Sequence, residues 1–161
     1  MIKKLQSKKQ YTVGIISDTH GLLRAGAVAA LEGSDLIIHA GDIGDPRILD
    51  ELEMIAPVVA VRGNMDNGNW AYALKRGEVI EIGPHMLYVL HDVSRLDLDP
   101  SVTHIRTIIY GHSHRPVIQE HEGILYINPG SAGPRRFKLP VSVAVLTIKG
   151  EKLSAEIIPL T

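Results

Sequence analysis

Tyr11-Thr12-Val13-Gly14-Ile15-Ile16-Ser17-Asp18-Thr19-His20 carries an apolar run straight into a carboxylate and an imidazole. A run of this length, rich in Val and Ile, reads as a buried strand, with the polar pair just past its end. The arrangement recurs. Asp42 follows Leu36-Ile37-Ile38-His39-Ala40-Gly41, and Asn64 follows Val58-Val59-Ala60-Val61-Arg62-Gly63. His91 follows Leu87-Tyr88-Val89-Leu90, and His112 and His114 follow Ile108-Ile109-Tyr110-Gly111. In layered α/β folds, ligands bind beyond the carboxyl ends of the strands. Seven oxygen and imidazole donors are more than one cation needs. They point to two metals sharing a carboxylate, which is a hydrolytic arrangement.

Outward from these segments, the first half alternates strand and helix. Strands are predicted over residues 11–17, 35–39 and 58–61. Between them lie helices over residues 21–31, stopped by Gly33, and 45–55, opened by Asp45 as N-cap with Pro46 in the first turn. This βαβαβ pattern implies parallel strands with right-handed crossovers. The second half reads as hairpins: 78–82 with 85–91, 117–121 with 124–127, and 141–148 with 152–158. A further strand covers 106–110, after a polar connection with one helical turn at 96–103. Antiparallel strands thus follow a parallel core, giving two stacked sheets with helices outside. Without repeats or linkers, a single domain over residues 1–161 is the simplest count, with residues 1–9 as a basic N-terminal tail.

The 161 residues suffice for one substantial core. With 17 basic and 18 acidic residues, net charge −1, no global field draws the chain to nucleic acid or membrane. Lys3, Lys4, Lys8 and Lys9 make a local basic start, short and without interleaved aromatics, as in a solvated tail. The absence of cysteine excludes disulfides, thiol nucleophiles and thiolate metal sites, and fits a reducing cytoplasm. No apolar segment precedes Tyr11 to make a secretory signal, and no run approaches the roughly 20 residues of a membrane span.

Taken singly, most of the donors have ordinary readings. Asp18 and His20 at i and i+2 of an extended segment face one way and can reach one cation, or are an N-cap and a helix-facing histidine. Asp42 after Gly41 and Asn64 after Gly63 are common turn residues, though a carboxylate can bridge two ions and an amide adds an uncharged oxygen ligand. His91 alone reads as a buried, hydrogen-bonded histidine. Gly111-His112-Ser113-His114 is stronger, because two imidazoles past a buried strand are costly without a cation. Oxygen and nitrogen donors without sulfur suit Mn, Fe, Co or Zn and do not choose among them; two divalent ions are expected, Mn first, with Fe, Co, Ni or Zn as alternatives. His39 reads as a core histidine, and His85, His104 and His121 as loop or surface residues. Trp70 and Tyr72 follow the Asn64 loop, where they flank the cleft, pack locally or meet another protomer.

Together the segments Ser-Asp-Thr-His-Gly (17–21), His-Ala-Gly-Asp (39–42), Val-Arg-Gly-Asn (61–64), His91, Gly-His-Ser-His (111–114) and Asn-Pro-Gly-Ser (128–131) resemble the calcineurin-like metallophosphoesterases. Within that superfamily they are most similar to the small bacterial and archaeal phosphodiesterase branch, to which the retromer subunit of the same fold is related. The resemblance implies a four-layer α/β/β/α sandwich, two mixed sheets flanked by helices. It implies a first metal on Asp18, His20 and His114, a second on Asn64, His91 and His112, and Asp42 as the bridge. It further implies in-line attack on a small phosphodiester by a metal-bridging hydroxide. Asn64 and Arg135 would stabilise the developing charge, with the 128–131 loop on the substrate side.

Two positions depart from the family pattern. Many family phosphatases carry a histidine acid directly after the motif Asn. Here Met65 stands there, and it cannot donate a proton. The phosphodiesterase branch commonly lacks that histidine too. Asp66 is the stand-in acid, provided its pKa is raised, or else a carboxylate that orients the loop. Asp92 replaces the usual glycine after His91 and either pairs with Arg95 or orients His91. The competing function is a metal-holding scaffold for protein partners. A nuclease acting on extended strands lacks its basic, aromatic face. Nothing in the sequence decides between a monomer and a homo-oligomer.

Overall fold

The computed structural model describes residues 2–160, excluding the side chains of Ile2 and Lys3. Met1 and Thr161, the ends of the expected domain, lie outside the described residues. A five-stranded sheet is built from β2 (Gln10–Ile16), β3 (Leu36–His39), β4 (Val58–Ala60), β10 (Ser142–Lys149) and β11 (Lys152–Pro159), in the order β11-β10-β2-β3-β4. Its first three strands pair in parallel, as the βαβαβ pattern requires, while β10 and β11 run antiparallel. Helices α1 (Ala25–Leu31) and α2 (Pro46–Glu53) make the crossovers. Asp45 caps α2 by accepting the Arg47 N–H at 2.9 Å, and Ile48 and Leu52 bury its inner face.

The second sheet has six strands: β1 (Ile2–Leu5), β5 (Gly77–Ile82), β6 (His85–Leu90), β7 (Ile105–Ile109), β8 (Val117–His121) and β9 (Ile124–Asn128), ordered β1-β5-β6-β7-β9-β8. The expected hairpins β5–β6 and β8–β9 form, but β6–β7 and β7–β9 pair in parallel. The β8–β9 hairpin therefore turns its second strand inward against β7 and leaves the polar β8 at the edge. Both sheets are mixed.

The N-terminal segment is not a solvated tail. Ile2–Leu5 adds to β5 in parallel register, Ile2 opposite Val79 and Leu5 opposite Ile82, and Leu5 packs on the core. Lys4 lies 3.5 Å from Glu81, and a charged lysine at a sheet edge discourages further strands from adding. Lys8 binds Asp35 at 2.6 Å. The side chain of Lys3 lies outside the described residues.

Between the sheets lies an apolar layer that includes Val13, Ile15, Leu36, Ile38, Leu87, Val89, Ile109 and Leu146. Alternate residues of the same strands face outward. Ile16 and Ile37 pack under α1 and α2 with Leu31 and Leu52. Beyond the second sheet, two 3-10 turns, Val93–Arg95 and Pro100–Val102, supply the outer layer over Leu90, Ile105 and Ile108. A third helix, α3 (Asn69–Tyr72), is a single turn beyond β4 that the sequence does not announce.

Candidate metal centre

The ligand loops begin where strand geometry ends. Of the seven candidate ligands, Asp18, His20, Asp42, His112 and His114 have left-handed backbones, with φ between 45° and 73°. Extended i, i+2 geometry therefore does not aim Asp18 with His20, or His112 with His114. The left-handed residues turn the chain back on itself, a conformation that non-glycine residues tolerate chiefly where surrounding structure enforces it. The enforcement is visible. Asp18 N–H donates to Gly41 O at 3.0 Å, His20 N–H to Asp42 O at 3.0 Å and Gly21 N–H to Ile43 O at 2.8 Å. The same turn delays α1, which starts at Ala25 and not at residue 21.

Each key carboxylate divides its oxygens between structure and site. Asp18 Oδ2 accepts the Ser17 hydroxyl at 2.7 Å and the His112 N–H at 3.1 Å. Its Oδ1 is buried without a hydrogen-bond partner and lies 3.4 Å from His114 Nε2, 3.7 Å from His20 Nε2 and 3.8 Å from His91 Nε2. Asp42 Oδ1 accepts the Met65 N–H at 2.9 Å, while Oδ2 faces His91 Nε2 at 3.2 Å and His20 Nε2 at 3.7 Å. His91 donates Nδ1–H to Ala40 O at 2.7 Å, which leaves Nε2 bare toward the cluster in the neutral ring.

Buried lone pairs that face one another are costly unless a cation lies among them. The ligand atoms of Asp18, His20 and His114 lie within 4.8 Å of one another, as do those of Asp18, Asp42 and His91. Asp18 Oδ1, His20 Nε2 and His91 Nε2 are all buried and unpartnered. The donor set therefore fits divalent metal. The remaining two candidates stand at the rim: His112, 47% exposed, with its ring 5.2 Å from that of His91, and the exposed Asn64.

Electrostatics follow the geometry. Burial opposes ionisation of Asp18, but His114, His20, His91 and Ser17 outweigh it and hold the carboxyl well below its usual range. Asp42 is likewise lowered against its burial, by His91 and the Met65 N–H. Burial pulls the His91 imidazole down, yet Asp42, Asp18 and the Ala40 carbonyl hold it above its ordinary value. Fully buried His39 is pushed down to about 3 by desolvation, which Asp18 only partly offsets. It accepts the Gly41 N–H on Nδ1 at 3.1 Å. Its Nε2 therefore carries the proton and donates to Thr19 Oγ1 at 3.0 Å, which in turn donates to Ile43 O. His39 is a neutral core histidine that braces the ligand loops.

Three expectations need correction. Asp66 is 4% exposed and accepts three backbone N–H groups, from Asp42, Gly44 and Gly63, at 2.9–3.0 Å. It is a loop clamp with both oxygens occupied, not an acid facing substrate. Arg135 lies on an exposed loop and does not line the cleft beside the ligands. In the 128–131 loop, Asn128 and Ser131 are buried; they donate to Gly111 O and Asp18 O at 3.1 Å and so support the ligands from behind. Asp92 caps the turn at Ser94, and its Oδ2 lies 3.8 Å from both Arg95 Nε and His112 Nε2, so it addresses His112 and not His91. Trp70 packs under the first sheet, and Tyr72 is 62% exposed beneath the Arg62 guanidinium.

Sequence reading passes over the arginines that line the cleft. About 660 Å³ in volume, it adjoins His91, His112 and Asn64 and is lined further by Arg62, Arg76 and Arg95. Its one sequence signal is Arg62 beside the Gly63-Asn64 motif.

Comparison with known proteins agrees with this geometry. Residues 11–151 match the calcineurin-like phosphoesterase superfamily domain. A probable metallophosphoesterase of Methanothermobacter thermautotrophicus is 39% identical over 158 residues, covering 91% of each chain. A phosphodiesterase of Methanocaldococcus jannaschii is 28% identical over 136 residues, 73% of this chain and 82% of that one. The solved structure of Vacuolar Protein Sorting 29 from Cryptosporidium parvum shares the fold with a TM-score of 0.77, at 17% identity over 96% of this chain and all of that one. Two mixed sheets, buried donors gathered at their strand ends and a match across nearly the whole chain lead to one assignment: the protein belongs to the calcineurin-like phosphoesterase superfamily.

Proposed function

We propose that this metallophosphoesterase is a phosphodiesterase working with two divalent metals, Mn foremost, on a small phosphodiester, as a single domain of residues 1–161 in the cytoplasm. The observation that carries this reading is the convergence of Asp18 Oδ1, His20 Nε2 and His91 Nε2, buried and unpartnered, on the free oxygen of Asp42. Asp18, His20 and His114 would hold one metal, and Asn64, His91 and His112 the other. Asp42 would be shared between the two, with its Oδ1 taken by the Met65 N–H and its Oδ2 facing His91 and His20. Bound metals supply Lewis acidity and a water of lowered pKa. The chain orients them: Ser17, the His112 N–H and the Met65 N–H fix the carboxylates, Ala40 O fixes the His91 tautomer, and Asp66 holds the loops together. Asn64 at the rim is placed to donate its amide to a phosphoryl oxygen.

Preference for diesters rests on Met65, 59% exposed where an acid would protonate a leaving alkoxide, and on the relationship to the M. jannaschii phosphodiesterase. The test is hydrolysis of bis-p-nitrophenyl phosphate against p-nitrophenyl phosphate with Mn, beside Asp42→Asn. Metal-dependent cleavage of the diester, lost in the variant, supports the proposal. Faster cleavage of the monoester overturns the diester preference.

A second reading, a metal-holding scaffold for protein partners, is favoured by the same thioether at the mouth of the site. Two metals bound with neither ester cleaved would establish it over the enzyme.

A further inference from the structure

We propose that the cleft beside the metal centre binds a second phosphate group of the substrate, so that the preferred diesters are nucleotides carrying a further phosphate. This rests on the phosphodiesterase reading and names its substrate class. The scissile group needs only the metal end, at His91, His112 and Asn64. The rest of a volume of about 660 Å³ is the size of a whole small-molecule site. Neutral ester arms would leave its guanidinium groups without a role.

Arg62 and Arg76 come from segments tied together by Arg62 N–H donating to Lys75 O at 2.8 Å. The Arg62 guanidinium lies 5.3 Å over the Tyr72 ring, and its Nε is buried without an acceptor. Among the described residues, no carboxylate pairs with Arg62 or Arg76. Arg95 sits 3.8 Å from Asp92, whose carboxylate already serves Ser94, and Asp97 adds an acidic group to the lining. Two arginines without counter-ions, one fixed on an aromatic face with an unanswered N–H, match the fork geometry that takes phosphate in pairs of hydrogen bonds. Tyr88 supplies an adjoining aromatic wall. Its ring packs against Gly77, where any side chain would collide with it.

The test uses the Mn-loaded chain and two probes that share the scissile bond: thymidine 5′-(p-nitrophenyl phosphate) and its 3′-phosphorylated counterpart. The wild type should favour the 3′-phosphorylated probe by about ten- to a hundredfold in kcat/KM, the value of one charge-assisted contact set. Calorimetry should show thymidine 3′,5′-bisphosphate binding more tightly than thymidine 5′-monophosphate by a similar factor. Arg62→Gln and Arg76→Gln should each pull both ratios toward one. Arg47→Gln, whose guanidinium pairs Asp45 on α2, should leave them intact and so control for bulk charge. Hydrolysis of both probes at equal kcat/KM, or a preference that survives the Arg62 and Arg76 variants, overturns the inference and leaves the phosphodiesterase reading standing. No hydrolysis, with arginine-dependent preference for the bisphosphate, keeps the cleft assignment and overturns the enzyme. No hydrolysis and no preference overturns both.

Discussion

The backbone N–H of Asp42 donates to the Asp66 carboxylate at 3.0 Å, so the residue at the centre of the ligand cluster is positioned by a carboxylate outside it. The same carboxylate holds Gly44 and Gly63, joining the loops that follow β3 and β4. Asp66→Ala leaves three amides without their acceptor. It should cost roughly 3 kcal/mol or more in urea denaturation and weaken metal binding. Loss of the alkaline limb from the pH–rate profile at unchanged stability would restore Asp66 as the proton donor.

Asp42→Asn keeps the shape and removes the charge that faces both His91 and His20. Metal content per chain, read by atomic emission, should fall. Turnover of the diester should fall by more than the roughly 10–100-fold typical of losing an outer partner of a metal ligand. Full metal content with wild-type turnover would exclude Asp42 from the centre.

Gly63 has an ordinary backbone but no room: an added Cβ would land on the Asp42 carboxylate and its N–H. Gly63→Ala should therefore cost about 1–3 kcal/mol, as overpacking does, and cost metal binding too, because what must move is a ligand. Titration with Mn and thermal melts of the apo and loaded variant check both.

His39 gives a pH signature that burial dominates and that Asp18 and Asp42 only partly offset. Its folded pKa is about 3 against 6.5 unfolded, so between those values the unfolded chain holds a proton that the native chain lacks. Its stabilising effect is complete above about 6.5 and is lost as pH falls toward 3, with a slope of up to roughly 1.4 kcal/mol per pH unit. His39→Gln should flatten urea midpoints between pH 6 and 4 relative to wild type. Parallel curves would mean that His39 titrates normally.

Divalent metal should raise the melting temperature and chelator should lower it. At a concentration of 100 times Kd, a metal that binds only the native chain adds about 2.7 kcal/mol. Calorimetric scans across Mn concentrations read this directly, and an unmoved transition would remove the metal centre.

Strand ends were the legible part of this chain. Short apolar runs mark β2, β3, β4, β6 and β7, and the shared end of these strands is where Asp18, Asp42, His91 and His114 gather. The left-handed turns at Asp18 and His112 are not legible, because only glycine advertises such a backbone and here neighbouring loops impose it. Ile2–Leu5 reads as a basic tail because its lysines conceal Leu5, which finds the core only when β5 is beside it. Asp66 is invisible as a clamp for the same reason: its three donors belong to residues 42, 44 and 63. The Arg62–Arg76 cleft joins two segments held side by side by the Arg62–Lys75 hydrogen bond, a pairing that no local sequence pattern announces.

The His112 N–H reaches Asp18 Oδ2 across 94 residues of chain. No fragment ending before the Gly-His-Ser-His loop can assemble the complete donor set, and loop closure on that scale comes late in folding. Metal capture is then a reading of finished architecture. An ion added to a nascent or half-folded chain meets scattered side chains of ordinary affinity, and tight retention begins only when both sheets have met.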